Sequence, residues 1–541
     1  MKRNQSLLLA ALLAFPVAAQ DIYKVENFSG EDLNGTSRFV GMGGAMNALG
    51  ADLSTIGTNP AAIGLYRRSD FALTGSLSIQ PNGAKMDDIG KTRASFDQIG
   101  FVYAAPINSD HLKFVNIGFN YQKRRNMKNY IGISGPLRDG ISQTWQMADL
   151  GNYYGIWDDG TEEFVSPLAE AGFQSGAISG NPLDGSLIGF NAGDYALDRI
   201  QYGSIQQYAF NISFNTDNRW YFGLTLGAYN VNWNSYTYYR EQLLDPADMP
   251  AGVYHAMDND ERISGSGFDM KFGFIGRPVE DSPFRIGLSV STPTWYNLTG
   301  NNVLRTEDPG MDDAGNITTN SGYVPTKDFD YRITTPWKFN VSLATTVEDW
   351  LAIDAEYEYK DYKGASVRYP KGYYNYDWSF GNNVFGNTYK DRPLGKEIDK
   401  YMRGVSTFRI GLEAKLAKGV FARLGYNYVS SPFKDDAYKN FFIGQDTPDG
   451  DSEGIINSTG TEYVNLGAIN RVTAGFGYRG KHWYADIAYQ FQAQKGDVCA
   501  FHVFKQDDSG NIVGDHRTNM LPKQSFDLNR QNVMLTVGYK F

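Results

Sequence analysis

Five histidines and one cysteine are the residues best suited to acid–base, nucleophilic or metal chemistry in this chain. His111 and His482 lie at predicted short turns, and the others lie in long polar connections: His255, His502 and His516. None falls on a strand face beside a serine and a partnering acid, which triad-type catalysis would require. Cys499 has no second cysteine with which to form an intrachain disulfide or a thiolate metal cluster. The sequence therefore predicts no enzyme, no bound metal and no cofactor.

Charged residues recur on one face of the predicted strands and could instead bind a ligand. They are Asp269, Lys271, Arg285, Asp354, Glu356, Glu358, Arg423, Arg471 and Asp486. Lys271 or Arg471 could bind the carboxylate headgroup of a ligand through a charge-assisted hydrogen bond. The alternative is that these charges pair with one another and leave none for a ligand.

Aromatic residues are concentrated in the long segment 127–202. Trp145, Tyr153 and Trp157 are the candidate ligand contacts there, and a short helix is predicted near residues 166–173. An exposed apolar surface of this kind could form a capture groove for a hydrophobic ligand. The alternative is a cap whose aromatic residues pack against each other.

The predicted last strand of the chain indicates the class of fold that positions these candidate residues. In residues 533–541, Val533, Leu535, Val537, Tyr539 and Phe541 alternate with mostly polar or small residues. Side chains alternate across a strand, so one face is apolar and ends in an aromatic residue. Such a last strand is typical of bacterial outer-membrane barrels, with one face toward lipid and the other toward the lumen. We expect Phe541 to be recognised by the barrel assembly machinery.

The beginning of the chain indicates export. Lys2 and Arg3 are followed by a short apolar stretch, residues 7–17, and by small residues before Gln20. This pattern predicts a secretory signal peptide over residues 1–19, too short to cross a bilayer. Export together with the terminal strand predicts a location in the bacterial outer membrane.

Composition and charge exclude other classes of protein. Glycine and tyrosine are abundant, at 59 and 36 residues, as suits strands and turns. No apolar run of about eighteen residues occurs, which argues against a helical membrane protein. The net charge of −10 argues against binding nucleic acid.

Alternating strands recur from residue 69 to the end, and we expect about fourteen of them, an even number as in single-chain bacterial barrels. Short turns alternate with long polar connections at 81–93, 127–202, 240–260, 299–326, 363–402, 433–465 and 497–525. Short turns belong to the periplasmic side and long loops to the outside. The sequence therefore predicts an all-β fold, a transmembrane antiparallel β-barrel over residues 69–541, with notable outer loops at 127–202, 363–402 and 433–465.

Aromatic residues also stand near the predicted strand ends, where a membrane barrel carries its interfacial girdle. They are Trp220, Tyr221, Tyr238, Tyr239, Trp295, Tyr296, Trp350 and Trp483. The alternative is that they are ordinary aromatic residues beside turns.

The segment before the first strand, residues 20–68, has a different character. It is rich in small residues, with Gly41, Gly43 and Gly44 in one cluster and Asn59-Pro60-Ala61-Ala62 in another. Glycine lets backbones approach closely, so this segment could fold back into the lumen as a plug. For Asn59-Pro60 the alternative is a simple turn.

These two clusters resemble the FadL/TodX-type outer-membrane channels for long-chain fatty acids and other hydrophobic molecules, and look closest to Bacteroides-group members. The family has a similar Gly-Met-Gly-Gly-Ala stretch, here residues 41–45, and an Asn-Pro-Ala-Gly-type motif before its first strand. Here the second motif departs from the family at Ala62. Residues 423–428 and the terminal Phe541 are also similar.

The resemblance implies a lumen closed by an N-terminal hatch, with Gly41, Gly43, Gly44, Asn59, Pro60 and Ala61 as its gating residues. It further implies a hydrophobic ligand, with long-chain fatty acids expected, an apolar lumen pocket, and lateral exit through the wall into the lipid. Lipids and lipopolysaccharide of the outer membrane are the expected surroundings. Two alternatives stay open: a general porin for small hydrophilic solutes, and a surface receptor or adhesin, for example for haem.

Overall fold

The computed structural model describes residues 21–81, 92–137, 141–154, 157–158, 163–164, 166–180, 185–244, 253–311, 317–326, 328–370, 388–441, 458–503 and 521–541. The predicted signal peptide, residues 1–19, and His516 lie outside these ranges.

Helices are short and few in the described ranges. The α-helices are α1 Ile22–Ser29, α2 Ser37–Gly41, α3 Gln143–Tyr154, α4 Pro167–Ser175 and α5 Arg392–Tyr401, and 3-10 helices cover Leu53–Gly57, Pro60–Leu65 and Tyr362–Gly364. The helix α4 overlaps the one predicted near 166–173. Within the part of the chain that the structure describes, no helix has the length and apolar character needed to cross a membrane.

Strands make up most of the fold. The first half of the chain contains β1 Asp70–Ile79, β2 Thr92–Pro106, β3 Leu112–Asn126, β4 Asn129–Pro136, β5 Trp157–Asp158, β6 Glu163–Phe164, β7 Ser179–Gly180, β8 Leu187–Ile188, β9 Ala192–Thr216, β10 Trp220–Leu243 and β11 Tyr254–Gly276. The second half contains β12 Arg285–Ser291, β13 Trp295–Met311, β14 Ile317–Pro325, β15 Phe329–Thr334, β16 Lys338–Val347, β17 Leu351–Asp361, β18 Ser366–Pro370, β19 Thr388–Lys390, β20 Gly404–Ala417, β21 Val420–Val429, β22 Tyr463–Arg479, β23 Trp483–Cys499, β24 Gln524–Asp527 and β25 Arg530–Lys540.

Fourteen of these strands form a closed antiparallel barrel, as predicted. The ring runs β1, β2, β3, β9, β10, β11, β12, β16, β17, β20, β21, β22, β23, β25 and returns to β1. The closing seam pairs Asp70 with Lys540 at one end and Ile79 with Gln531 at the other. Closure satisfies the backbone groups that an open edge would leave unpaired in lipid.

The outside of the barrel is apolar. On the last strand Val533, Leu535 and Val537 are 39%, 54% and 39% exposed, whereas Thr536 between them is fully buried. The same alternation of exposed apolar and buried polar residues runs along the other wall strands. A closed barrel with an apolar outer face is the form in which chains cross the bacterial outer membrane, so the protein belongs there.

The predicted aromatic girdle is correct only in part. Trp295, Trp350 and Trp483 are 41%, 50% and 64% exposed on the outer face, but three predicted members are buried: Tyr221, Tyr239 and Tyr296. Consecutive strand residues point to opposite faces, so the two members of an adjacent aromatic pair cannot both face lipid.

Several stretches that the sequence suggested as polar connections contain strand. The strands β9, β10 and β11 have 25, 24 and 23 residues, more than twice the roughly ten that a membrane crossing needs. Their polar ends pair in register beyond the membrane, for example Glu241 with His255. The wall thus continues outside the bilayer, where α3, α4 and α5 pack into one apolar cluster with it.

The apolar outer face generates a stability prediction. We expect Leu424→Arg, at the middle of β21, to cost about 2–4 kcal/mol of unfolding free energy, because it places a cation in the bilayer core. Leu416→Arg beside a short turn is the matched control, since both leucines are about equally exposed, at 61% and 60%. Denaturant unfolding in lipid vesicles measures both. Equal costs at the two positions would contradict the membrane placement.

Candidate functional site in the barrel lumen

The N-terminal segment, residues 21–68, contacts the inner wall on many sides. The helix α2 packs against β21, β22, β23 and β25. The 3-10 helix Leu53–Gly57 contacts β2, β3, β9 and β10, and Pro60–Leu65 contacts β3, β9, β10 and β11. Together these contacts reach nine different wall strands, which lie on both sides of the closing seam.

Two wall carboxylates on β17 hold the backbone of this segment. Glu356 accepts hydrogen bonds at 2.7 Å from the backbone N–H groups of both Met46 and Asn47, and Asp354 accepts from those of Ala48 and Leu49 at 3.1 and 2.8 Å. Four consecutive N–H donors outside regular secondary structure are therefore satisfied by carboxyl oxygens of the wall.

Arg38 of α2 binds the segment to β20, the wall strand next to β17. Its guanidinium donates two hydrogen bonds to the Glu413 carboxylate, both at 2.8 Å. Glu413 also accepts from Arg423, which in turn donates to Asp486, each at 2.6 Å. All four side chains are buried, so the charges of this network compensate one another.

Wall glycines make room for the two small-residue clusters of the segment. A Cβ on Gly425 would lie 2.1 Å from the backbone nitrogen of Gly43. A Cβ on Gly223 would lie 2.3 Å from the carbonyl carbon of Pro60. Sequence reasoning missed these wall glycines, although a glycine at an inward strand position is a signal of close backbone approach.

The predicted gating residues all lie in this packed region. Gly43 and Gly44 have φ of +65° and +81°, which favours glycine, and Gly41 lies against β21 and β22. The Asn59 side chain caps the helix Pro60–Leu65 by accepting from the Ala61 N–H, and it also donates to the Asn47 carbonyl at 2.9 Å. Asn59 therefore joins the two clusters.

Lys271, a predicted ligand contact, is occupied by protein partners. Its ammonium donates to Asp269 at 2.5 Å and to the Tyr229 hydroxyl at 3.0 Å. Tyr229 also donates to Asp269 at 2.7 Å, and Lys271 is fully buried. For this residue the structure favours the alternative of internal pairing, because the nearby carboxylate neutralises its charge.

Arg471, the other predicted cation, lines a cavity of about 140 Å³ in the lumen. Its guanidinium donates to the side-chain oxygens of Asn427 and Gln492 at 2.9 and 2.8 Å. Its Nη2 has no hydrogen-bond partner in the described part of the chain, and the residue is only 2% exposed. Many polar side chains line the cavity, so an apolar lumen pocket is not what surrounds Arg471.

The ladder between β2 and β3 stops partway up the wall. Pairing reaches Gln98 with Gln122, beyond which β2 stays paired with β1 and β3 with β9. Asn34 of the N-terminal segment fills the space, since its side chain donates to Asp97 and to the Lys123 carbonyl at 3.1 and 3.0 Å. Asn34 thus bridges the two strands where their ladder has stopped, together with the Lys123 ammonium, which donates to the Ser95 hydroxyl.

The aromatic candidates of the outer segment belong to a packed cap. Trp145 and Tyr153 of α3 are partly buried and pack against the outer apolar cluster. Tyr154 donates to the Phe441 carbonyl at 2.6 Å. For Trp157, in β5, the side chain is outside the described part of the structure. These contacts favour the self-packed cap over an open groove.

The N-terminus of α3 is anchored to the wall by Glu241, beside a buried histidine. The Glu241 carboxylate accepts from the Gln143 N–H at 2.8 Å, and its strand partner is His255. His255 lies 2.8 Å from Asp308 through Nδ1. Although burial opposes the charged form, the carboxylates of Asp308 and Glu241 raise the pKa of His255 above its usual value. Burial raises the pKa of Glu241 as well.

The fold and the lumen define the class of protein: a transmembrane β-barrel of the outer-membrane type, with an N-terminal segment bound to its inner wall. No family model matches the chain. No curated protein matches it either.

Solved structures similar to this chain include three channels. A Pseudomonas aeruginosa FadL homologue and the Ralstonia pickettii toluene transporter TbuX are each 14% identical, with 94% of this chain and 99% of the other covered and a TM-score of 0.48. The CymD monoaromatic hydrocarbon channel is 10% identical, with 95% and 99% covered and a TM-score of 0.47. The likeness to FadL/TodX-type channels expected from the sequence is confirmed to this extent.

The buried network around Glu413 generates a second prediction. We expect Glu413→Gln to destabilise the barrel by about 3–5 kcal/mol, because it leaves two buried arginines without their shared carboxylate. The control is Glu280→Gln, whose side chain is 84% exposed and 3.9 Å from Arg219, and which should change stability little. Denaturant unfolding compares the two, and similar small effects would show that the network is not stabilising.

The His255 cluster generates a third prediction, on pH. A raised folded-state pKa means that the contribution of His255 is full below about pH 6.5 and is lost as pH rises through the raised value. The protection of the α3 amides from hydrogen exchange, corrected for the intrinsic pH dependence of exchange, should therefore fall as pH rises above about 6.5. His255→Gln should flatten this dependence, and His111→Gln, at an exposed turn, should keep it. Identical pH profiles for all three proteins would contradict the assignment.

Proposed function

We propose that this protein is an outer-membrane channel for the passive uptake of hydrophobic molecules, with long-chain fatty acids as the expected substrate. Residues 20–68 act as a hatch in its lumen. One observation carries the proposal: where the ladder between β2 and β3 stops, the two strands are bridged by Asn34, a residue of the segment that also fills the lumen. Movement of one segment would therefore open both the lumen and a side exit.

Entry would begin at the outer cap. Trp145 and Tyr153 pack against an apolar cluster that includes residues of α1, α3, α4 and α5. Each methylene group transferred from water into such surroundings contributes about 0.8 kcal/mol. Binding of an alkyl chain between these elements would favour an opened cap without any chemical step.

Passage would require displacement of the hatch from its wall contacts. Asp354 and Glu356 hold residues 46–49, and close packing at Gly43 and Pro60 holds the rest. A partly charged interface is suited to reversible release, since water can replace hydrogen bonds more easily than it can replace apolar contacts.

Exit would be lateral, between β2 and β3. The strand edges that Asn34 covers lie in the wall, so a released ligand would reach lipid without crossing water. A water-filled porin is disfavoured because nine wall strands contact the hatch. Planar-bilayer conductance separates the two functions, and large steady open channels would overturn this proposal.

A disulfide that locks the hatch tests the proposal. In a Cys499→Ser background, we expect Ser37→Cys with Thr536→Cys to abolish uptake of labelled oleate when oxidised and to restore it when reduced. The two native hydroxyl oxygens are 3.0 Å apart, so the bridge is within reach.

The matched control joins Thr536 to a different partner. Thr74→Cys with Thr536→Cys links two wall strands whose hydroxyl oxygens are 2.8 Å apart and does not include the hatch. Uptake should continue in this variant, oxidised or reduced. Full uptake through the oxidised Ser37–Thr536 variant would exclude hatch movement as a requirement.

A further inference from the structure

The lumen cavity contains more positive than negative charge. Seven cationic residues line it: Arg124, Arg125, Lys338, Lys360, Arg409, Arg471 and Arg530. Four acidic residues do so: Glu26, Glu31, Asp32 and Glu358. The excess over the lining is three positive charges, and Glu356, which contacts Arg409 from just outside the lining, reduces it to two.

Four of the cations have carboxylate partners within 3.3 Å. Arg124 and Lys338 both pair with Glu31, and Arg125 pairs with Glu26. Arg409 lies 3.3 Å from Glu358. These pairs include every acidic residue of the lining except Asp32. Three of the seven cations are not part of such a pair.

The remaining cations bind neutral oxygens. Arg471 has only amide side-chain partners and an unpartnered Nη2, and Lys360 donates to the Ser29 carbonyl at 3.0 Å. Arg530 donates to the Lys128 carbonyl at 2.5 Å and lies 4.0 Å from Asp32, its nearest ion pair. Arg471 is buried, whereas Lys360 and Arg530 are partly buried. Charge held away from water without a close counter-charge is costly, so these three cations favour an anion in the cavity.

We propose that this cavity binds a phosphate monoester group, a dianion whose charge matches the excess of two. Guanidinium groups bind phosphate oxygens in bidentate geometry, and an ammonium adds a point charge, so Arg471, Arg530 and Lys360 suit a tetrahedral dianion. A singly charged carboxylate would leave one positive charge uncompensated.

The size and remaining lining of the cavity fit a headgroup rather than a whole lipid. Its volume of about 140 Å³ is below the roughly 300–1,000 Å³ of pockets that enclose drug-sized ligands. Leu466, Ile469 and Leu528 also line it and could contact the first methylenes of a chain. The assignment of an attached alkyl chain rests on the proposed function, whereas the anion site itself does not.

Equilibrium binding to the full-length protein in nanodiscs tests the inference with four probes: dodecyl phosphate, dodecanoate, dodecanol and inorganic phosphate. We expect dodecyl phosphate to bind at least about tenfold more tightly than dodecanoate near pH 8, and dodecanol more weakly still. Equal affinity for the phosphate and the carboxylate would overturn the dianion assignment. Tight binding of inorganic phosphate alone would support the anion site and identify free phosphate as its occupant.

Variants show whether the probes bind in this cavity. Arg471→Gln and Arg530→Gln should each weaken dodecyl phosphate at least about tenfold and leave dodecanol unchanged. Arg262→Gln is the control, because Arg262 is exposed on the outer part of β11 and paired with Asp260. Unchanged dodecyl phosphate affinity in both folded lumen variants would overturn the inference. Tight binding without uptake of any amphiphile would refute the proposed transport function and leave the anion site standing.

Discussion

Backbone hydrogen bonding in lipid is the constraint on which the rest of this structure depends. A sheet in a bilayer has no water to satisfy its edges, so β1 must pair with β25 and the ring must close. Closure turns one face of every strand toward lipid and the other toward a lumen. The lumen of a fourteen-strand ring is wide enough to need filling, and the N-terminal segment supplies that filling.

Filling a lumen with irregular backbone creates a second demand for hydrogen bonds. The N–H groups of residues 46–49 are not in a helix or a strand, and Asp354 and Glu356 satisfy them from the wall. The polar inner face is thus complementary to the segment that it encloses. Cationic residues also line the lumen cavity. One of them, Arg471, has no carboxylate partner among the described residues.

Much of the wall could be predicted from local pattern, because strand alternation is a local property. The first strand, the last strand and the number of wall strands were predicted from it correctly. The same alternation, applied strictly, would have assigned Tyr221, Tyr239 and Tyr296 to the inside rather than to the girdle. Strand alternation places Asp269 on the same face as Lys271, two residues away, but the second partner of Lys271 could not be predicted from the sequence. Tyr229 is 42 residues away, and the two meet only because β10 and β11 pair in one register.

The sequence by itself determined that the chain makes a membrane barrel with an N-terminal segment of close-packing small residues. Hydrophobic alternation and glycine content are visible without any contact information. The tertiary structure alone decided which wall groups hold that segment, where Asn34 fills the wall, and which cations stay uncompensated. Those outcomes depend on strand register and on the path of the segment through the lumen. Both result from packing between residues tens to hundreds of positions apart, which no local pattern encodes.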